Sequence, residues 1–301
     1  MKREKGIGKA TGSEAPIAME AKESTLPAGL YVVATPIGNL GDITHRALQV
    51  LARADVVAAE DTRVTRGLLA HFGIGTRMIA LHEHNEKRAA QALLSLLGDG
   101  KAVALVSDAG TPAVSDPGAL VVCTVRDAGF AVIPVPGPSA LTAALSASGV
   151  VAEGVLFAGF LPVKGSARKE RIAQLAASPW ALVLYESPHR IEATLGDLAA
   201  ALGERDVVVC RELTKRFETI TRIALGESVE WLRADPDRQR GEFVLVIEPK
   251  AVPDRASFAA DHVLTVLLST LSVKDAASLA AKITGGNRST LYAAALQLKK
   301  K

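Results

Sequence analysis

Twelve consecutive residues, 107–118, carry the strongest chemical signal in the sequence, which reads Ser-Asp-Ala-Gly-Thr-Pro-Ala-Val-Ser-Asp-Pro-Gly. Small side chains, two prolines and free backbone amides let such a segment wrap closely around a flat ring such as adenine and around a carboxylate. The segment holds no lysine for phosphate and the chain has no Walker loop, which argues against nucleoside triphosphate hydrolysis. We therefore expect a binding loop for a small ligand here.

Three further segments combine turn-forming residues with polar side chains. Residues 35–42 contain two glycines and a proline, so their backbone can approach a ligand closely; the alternative is a tight turn with Asp42 as a helix N-cap. Residues 60–63 bring two carboxylates and a guanidinium together, which also fits a capping box with an ion pair. Residues 134–140 contain three prolines, and Ser139 can cap the helix that follows. Stiff backbone of this kind suits the placement of a ligand.

Short β-branched runs precede these segments and alternate with helix-period segments, a pattern typical of a largely parallel α/β sheet. The predicted strands are 30–35, 55–59, 78–81, 102–107 and 131–135. Apolar faces predict helices over 43–54, 86–97 and 139–148. Because ligands of open α/β sheets lie at the carboxyl ends of the strands, the four segments should meet at one edge.

A second set of strands follows a change of phase near residue 150. The predicted strands are 155–160, 180–185, 206–211, 219–225 and 242–247. Two of them follow each other without a helix, which predicts a mixed sheet and a second α/β domain, with the ligand cleft between the two domains. Three short helices, over 257–271, 274–284 and 287–298, end the chain in a pattern compatible with a helix-turn-helix. The predicted domains are a disordered tail at 1–28, then 29–149, 150–250 and 251–301.

Composition narrows the classes of protein that fit the chain. The 301 residues are 49% hydrophobic and 22% charged, enough apolar material for two cores and too much for disorder of the whole chain. No apolar run approaches the roughly 20 residues of a membrane span, and residues 1–25 lack the features of a secretory signal. Cys123 and Cys210 have no Cys or His at metal-ligand spacing, so we expect no metal site and a reducing cytoplasm.

The charge pattern leaves a nucleic-acid partner open. The net charge is only +3, and charge alone indicates nucleic-acid binding only when basic residues cluster on one face. Residues 251–301 contain seven Lys or Arg against three Asp. They form either a solvated helical cap or a module that grips RNA. Two further basic clusters lie at 164–171 and 211–222, where a solvated face is again the alternative to a rim that tracks phosphates.

Eight motifs in order resemble the tetrapyrrole methylase superfamily and, more closely, its ribosomal small subunit methyltransferase I branch, the 16S RNA cytidine 2′-O-methyltransferases. The motifs are VATPIGNLGD at 33–42, AEDTR at 59–63, LHEHNE at 81–86, SDAGTPAVSDPG at 107–118, PGPSA at 136–140, FAGFLP at 157–162, YESPHR at 185–190 and RELTKRFE at 211–218. The resemblance runs from about residue 29 to the end of the chain. Two segments depart from the pattern: the first loop is longer than its superfamily counterpart, and residues 82–86 read HEHNE.

The resemblance implies a two-domain α/β methylase that binds S-adenosylmethionine in the cleft between the domains, usually as a homodimer. Carried over residue by residue, the implied cofactor contacts are Leu40, Ser107, Asp108, Thr111, Ser139, Ala140, Glu186 and Leu213. The implied substrate is 16S rRNA within the small ribosomal subunit. The residues expected to contact it are Lys164, Arg168, Lys169, Arg211, Lys215, Arg216, Lys299 and Lys300.

A ribose hydroxyl is a poor nucleophile, so a base or a cation should lie near it. The candidates are Glu60, Asp61, Arg63, His82, Asn85, Glu86, His189 and Arg190, with Glu186, Arg211, Glu212 and Lys215 as further possibilities. Alternatively, the charged side chains around 60–63 and 190–212 form ion pairs between the domains. Two other functions stay open: a small-molecule methylase of the tetrapyrrole type, and a non-catalytic RNA-binding protein.

Overall fold

The computed structural model describes residues 25–82, 86–249 and 255–299. The first domain is built on a sheet of five parallel strands in the order β3-β2-β4-β1-β5. The strands are β1 Gly29–Val33, β2 Val56–Ala59, β3 Met78–Ala80, β4 Ala102–Val106 and β5 Val132–Val135. The expected parallel sheet is confirmed, and most of the predicted tail lies outside the described residues.

Helices cover both faces of this sheet. They are α1 His45–Arg53, α2 Thr62–His71, α3 Glu86–Gly98, α4 Ala119–Asp127 and α5 Ala140–Ser148. The first two pack on one face, where Leu51 and Leu69 join Val33 in a core. The next two pack on the other face, where Leu93 and Val121 are fully buried. This two-sided burial explains why the central strands are almost wholly apolar.

The prediction that Asp42 caps the first helix is wrong. Residues Leu40–Asp42 form a single 3-10 turn, which Asn39 caps by accepting a hydrogen bond from the Gly41 amide at 2.9 Å. The helix α1 begins later, and Thr44 caps it by accepting from the Ala47 amide at 3.1 Å. The longer loop thus uses two caps in succession.

The second domain has a mixed sheet in the order β6-β7-β10-β8-β9. Its strands are β6 Val155–Phe160, β7 Ala181–Glu186, β8 Asp206–Arg211, β9 Thr219–Ala224 and β10 Phe243–Ile247. Only β6 and β7 run parallel, and β10 lies antiparallel between β7 and β8. Strands β8 and β9 pair directly as an antiparallel hairpin, which confirms the predicted mixed sheet.

One helix joins the two domains. Helices α6 Gly165–Ala176, α7 Ile191–Leu202 and α8 Ser228–Arg233 pack on one face of the second sheet. The opposite face is covered by α5, whose fully buried Ala144 contacts the core that contains Val183 and Val246. Since α5 leaves the first sheet directly after β5, it fixes the second domain against the strand ends of the first.

Three helices at the end of the chain form a small core of their own. They are α9 Arg255–Leu268, α10 Val273–Thr284 and α11 Arg288–Leu298. Leu264, Ala280 and Leu291 are buried between them. Ser272 and Asn287 cap the last two helices, and Gly285 at φ +72° ends α10 in a left-handed conformation. Across the described part of the chain, every helix is too short or too polar to cross a membrane.

The expected phosphate contact Arg168 is instead buried in an ion pair of the second domain. Its guanidinium contacts the Asp197 carboxylate at 2.7 Å through both Nε and Nη2, and both side chains are largely buried. Lys169 reaches the same carboxylate at 3.7 Å, but its side chain is 71% exposed. Arg168 therefore stabilises the packing of α6 against α7 and does not form part of the exposed basic surface.

Substituting Asp197→Ala should lower the free energy of unfolding of the second domain by about 3 kcal/mol, because it leaves a buried guanidinium without its counter-charge. Lys169→Ala, the matched control, should change it by less than about 1 kcal/mol because that pair is exposed. Both tryptophans, Trp180 and Trp231, lie in this domain, so urea unfolding followed by tryptophan fluorescence makes the measurement. Equal small effects of the two substitutions would contradict this account.

Candidate active site

A cavity of about 330 Å³ lies where the strand ends of the first sheet face β7 and β10 of the second. Five of the eight expected cofactor residues line it: Thr111, Ser139, Ala140, Glu186 and Leu213. Residues that were not singled out also line it, among them Ile37, Asp116, Phe160, Tyr185 and Glu242. Three of the four turn-rich segments, 35–42, 107–118 and 134–140, meet at the cavity as the parallel topology predicts, whereas segment 60–63 does not line it.

The loop after β4, residues 107–118, forms one wall of the cavity. Thr35 and Gly110 exchange two backbone hydrogen bonds, of 2.9 and 3.0 Å, beyond the ends of β1 and β4. The Thr111 hydroxyl donates to the Pro138 carbonyl at 3.1 Å. Ala113 and Ser115 adopt left-handed backbone at φ +66° and +64°, which costs roughly 1–3 kcal/mol at each such residue. The loop is thus held in one shape by its neighbours.

Glu86, an expected catalytic candidate, fastens the far end of this loop. One carboxylate oxygen accepts hydrogen bonds from the amides of Gly118 and Leu120 at 3.0 Å, and from Val121 at 3.4 Å. These amides belong to the start of α4, where a negative charge is stabilised by the helix dipole. Glu86 does not line the cavity. Its contacts instead anchor the end of the loop at the start of α4.

The carboxylates of residues 60–63 also have structural partners. Asp61 caps α2, and its carboxylate pairs with the Arg63 guanidinium at 2.6 Å. This hydrogen bond lowers the pKa of Asp61 to about 2. The Asp61 amide donates to the Asp108 carboxylate at 2.9 Å, and the Asp108 amide donates to Glu60 at 3.3 Å. Burial raises the pKa of Glu60. Residues 60–63 therefore hold the loop 107–118 in place through hydrogen bonds to Asp108.

The turn after β8 forms the opposite wall. Glu212 and Thr214 adopt left-handed backbone at φ +53° and +65°. The Asn39 amide donates to the Thr214 hydroxyl at 3.1 Å, which ties the first loop to the second domain. Gly38 packs so closely that a Cβ there would lie 2.5 Å from Cγ of Lys215. Glycine at this position is therefore required by the contact between the domains.

Glu186 is the most buried charged group in the wall. Its carboxylate accepts from the Ser187 amide at 2.8 Å and from the Thr194 hydroxyl at 2.7 Å. Arg190 pairs with it at 3.4 Å and donates to the Leu161 carbonyl at 2.6 Å. The alternative of ion pairs between the domains is wrong for these groups, since Arg63, Arg190 and Lys215 each pair inside their own domain.

Asp116 and Tyr185 face the same cavity from different domains. Burial raises the pKa of both groups. The Ser107 side chain partly opposes this rise in the pKa of Asp116, and the Leu141 backbone and the Ser139 side chain partly oppose it in the pKa of Tyr185. Ser139 makes no capping bond to α5, which leaves its hydroxyl available to Tyr185. Both residues lie inside motifs that the sequence singled out, but only their juxtaposition across the cleft reveals a shared role.

The remaining expected residues lie away from the cavity or outside the described chain. Leu40 is exposed, Ser107 is buried behind the loop, and His82 and His189 are exposed. Arg211 is buried and donates to the Arg240 carbonyl at 3.2 Å, so it is no part of an exposed basic rim. Lys164, Arg216 and Lys299 are exposed. Asn85 and Lys300 fall outside the described residues.

Sulfur, imidazole and carboxylate groups can hold metals only when several converge. Within residues 25–82, 86–249 and 255–299, no three His, Cys, Asp or Glu side chains come together in this way.

Two family models match the chain. The model of tetrapyrrole (corrin/porphyrin) methylases matches residues 29–228, which contain both sheets apart from β10 and most of the residues that line the cavity. The model described as the RsmI C-terminal HTH domain matches residues 254–299, the three terminal helices. The second match begins after β10, the last strand of the second sheet, and this start agrees with the separate core of the three terminal helices.

Solved structures with the same fold are more distant in sequence. A cobalt precorrin-4 methyltransferase superposes with a TM-score of 0.55 at 21% identity, covering 72% of this chain and 93% of that one. A uroporphyrin-III C-methyltransferase from Thermus thermophilus, complexed with S-adenyl homocysteine, gives a TM-score of 0.52 at 20% identity, covering 73% and 97%. At these identities the likeness establishes the fold.

Curated relatives are much closer and cover nearly the whole chain. The ribosomal RNA small subunit methyltransferase I of Escherichia coli O157:H7 is 48% identical over 270 residues, 89% of this chain and 94% of the relative. The protein of the same name from Neisseria meningitidis serogroup B is 47% identical over 284 residues, 94% and 98%. Identity of this extent spans both domains and the terminal helices. The chain belongs to the tetrapyrrole methylase family and, within it, to the ribosomal RNA small subunit methyltransferase I proteins.

Proposed function

We propose that this methyltransferase, which acts on ribosomal RNA, transfers the methyl group of S-adenosylmethionine to the ribose 2′-oxygen of a cytidine in the decoding region of 16S rRNA. The observation that carries the proposal is one cavity, lined by residues of most of the family motifs and placed between the two domains. Relatives that are 46–48% identical are named ribosomal RNA small subunit methyltransferase I, which supports the ribosomal RNA substrate. The proposal includes a cytoplasmic homodimer that acts on the small ribosomal subunit, as the family resemblance implies.

The cavity fits a nucleoside-type cofactor. Its volume of about 330 Å³ lies in the range of small-molecule sites. Ile37, Ala140 and Leu213 supply apolar surface for a flat ring, while Thr111 and Ser139 supply hydroxyls. Gly110 at φ +82° leaves the backbone of the third loop open to close approach. These residues would hold the cofactor between the loop after β4 and the turn after β8.

Bound S-adenosylmethionine would supply an electrophilic methyl group on a sulfonium. The protein must then align the ribose oxygen with that carbon, and much of the rate enhancement can come from this alignment. The left-handed residues Ser115 and Thr214 suit the task, because each lies at a contact between the two domains, Ser115 next to Gly159 and Thr214 bonded to Asn39. Phe160, which lines the cavity, is 53% exposed and in edge contact with Tyr185.

Exposed cations near the mouth of the cavity support a role in RNA binding. Arg216 lies 5.5 Å above the ring of Phe217, which is 64% exposed, in the loop that follows the turn after β8. Lys164 is exposed at the start of α6, directly after the strand that carries Phe160. Phosphate contacts of this kind position RNA without reading its sequence. Lys299 contributes an exposed cation on the terminal helices.

Small ribosomal subunits from cells that lack the activity should accept one methyl group from tritiated S-adenosylmethionine. The product expected after nuclease digestion and mass spectrometry is 2′-O-methylcytidine at a single 16S site. Cofactor binding without any label in the RNA would contradict the proposal. Label on a tetrapyrrole-type acceptor alone would favour a small-molecule methylase, and no label on either acceptor would favour a binding protein.

Substituting Ala140→Leu should weaken cofactor binding by about tenfold or more, because the larger side chain takes space in the cavity. Ala147→Leu, on the exposed face of the same helix, makes the same chemical change and should leave the affinity unaltered. Isothermal titration with S-adenosylhomocysteine gives both dissociation constants. Equal affinities for the two variants would place the cofactor elsewhere.

Substituting Arg216→Gln should weaken binding to the small subunit about threefold to tenfold at low salt and make binding less salt-dependent, because one counterion fewer is released. Arg126→Gln, which removes an exposed arginine from α4, is the control of equal charge. Filter binding over a series of salt concentrations measures the slope. An unchanged slope for Arg216→Gln would remove this residue from the RNA surface.

A further inference from the structure

Methyl transfer to a ribose hydroxyl releases one proton, and the structure restricts which group can accept it. Three carboxylates line the cavity: Asp116, Glu186 and Glu242. A general base must reach the hydroxyl directly or through one water. The expected candidates Glu60, Asp61 and Glu86 do not line the cavity, and neither do the two histidines that were singled out. The choice therefore falls among three side chains.

The carboxylate of Glu186 is already occupied by partners within the protein, so it is not the general base. Its side chain is fully buried, and its oxygens accept from the Ser187 amide, the Ser187 and Thr194 hydroxyls and the Arg190 guanidinium. These contacts occupy both carboxylate oxygens, so neither is left to accept a hydrogen bond from the acceptor hydroxyl. Glu186 therefore holds β7 against α7.

The carboxylate of Glu242 is occupied by an ion pair. Its carboxylate pairs with Nζ of Lys215 at 2.6 Å, and its side chain is 77% exposed at the mouth. Lys215 also contacts Glu212 at 2.9 Å. The ion pair with Lys215 occupies this carboxylate, so it is not available to contact the acceptor hydroxyl.

Asp116 differs from both. It is half-buried, it lines the cavity, and within the described residues no cation pairs with it. The position of Asp116 is fixed by the residue before it, Ser115, which has left-handed backbone. Ser115 packs tightly against Gly159 of the second domain: a Cβ added to Gly159 would lie only 2.7 Å from Oγ of Ser115. The titratable groups that face Asp116 are Asp108, Glu60 and Tyr185.

We infer that Asp116 is the general base of the reaction, with Tyr185 beside it to orient the acceptor hydroxyl. The inference rests on the proposed function. As the ribose oxygen forms its bond to the methyl carbon, the bond from that carbon to sulfur breaks and its electron pair stays on sulfur. The hydroxyl proton passes to Asp116, so the charge of the sulfonium and the charge of the carboxylate are both neutralised. The proton then leaves to solvent through the open mouth.

The surroundings of Asp116 favour this step. Burial raises its pKa, and the negative charge of Asp108 raises it further. A raised pKa makes the ionised carboxylate a stronger proton acceptor. Activity should therefore rise with pH through the pKa of Asp116 and level off above it.

The test compares Asp116→Asn with Asp99→Asn, an exposed carboxylate in the turn before β4. Single-turnover methylation of small subunits at saturating cofactor is measured from acid to alkaline pH, and cofactor affinity is measured separately by equilibrium dialysis. The asparagine matches the size of the aspartate, and a thermal melt verifies folding. We expect Asp116→Asn to bind cofactor normally and to react about 100- to 10,000-fold more slowly. Its rate should continue to rise with pH without levelling off, whereas Asp99→Asn should follow the wild-type profile.

Three results would overturn the inference. The first is an Asp116→Asn rate and pH profile equal to the wild type. The second is a loss of cofactor affinity with a normal rate at saturation, which would make Asp116 a cofactor contact. The third is a wild-type protein that methylates no RNA, which would contradict the proposed function as well. If the asparagine variant melts early, Asp116→Ser is measured in the same way, and recovery of its rate by added formate would support the inference while a wild-type rate would refute it.

Discussion

Thr35 and Gly110 form an isolated antiparallel bridge of two backbone hydrogen bonds just beyond the ends of the parallel strands β1 and β4. Loops at strand ends usually separate, because nothing pairs them there. Here the bridge keeps the first and third loops side by side, so that Ile37 and Thr111 belong to the same wall. The outer end of the third loop is fixed by Glu86, which accepts amides at the start of α4. Cavity, domain contact and proposed base all depend on this arrangement.

Strained backbone occurs on both walls and at the contacts between domains. The left-handed residues Ser115 and Thr214 each approach the other domain, one near Gly159 and the other bonded to Asn39. Such conformations cost roughly 1–3 kcal/mol each and persist only where surrounding contacts enforce them. The contact of α5 with the second sheet provides part of that enforcement, since it buries Ala144 in a shared core. The packing of α5 against the second sheet thus helps to maintain the geometry of the cavity.

The local sequence pattern predicted most strands and helices of this protein. The roles of several side chains depend instead on contacts between residues far apart in the sequence. Strands and most helices follow from apolar period, and the convergence of the loops follows from parallel topology. Arg168 was expected to meet phosphate, but its burial depends on Asp197, 29 residues away. The capping role of Glu86 requires α3 and α4 to be neighbours, which no local pattern reveals. Asp116 and Tyr185 were missed as a pair because they lie in different domains.

The order of strands in the first sheet also has a consequence for synthesis. Strand β1 is made first, but its two partners are β4 and β5, and roughly 70 residues separate it from β4. At roughly 5–20 residues per second, β1 waits several seconds with both edges unpaired while the ribosome extends the chain. Strands β2 and β3 pair locally in the meantime. The sheet therefore cannot join β1 to the β2–β3 pair until β4 is made, so a nascent chain halted before β4 would present an apolar strand to chaperones.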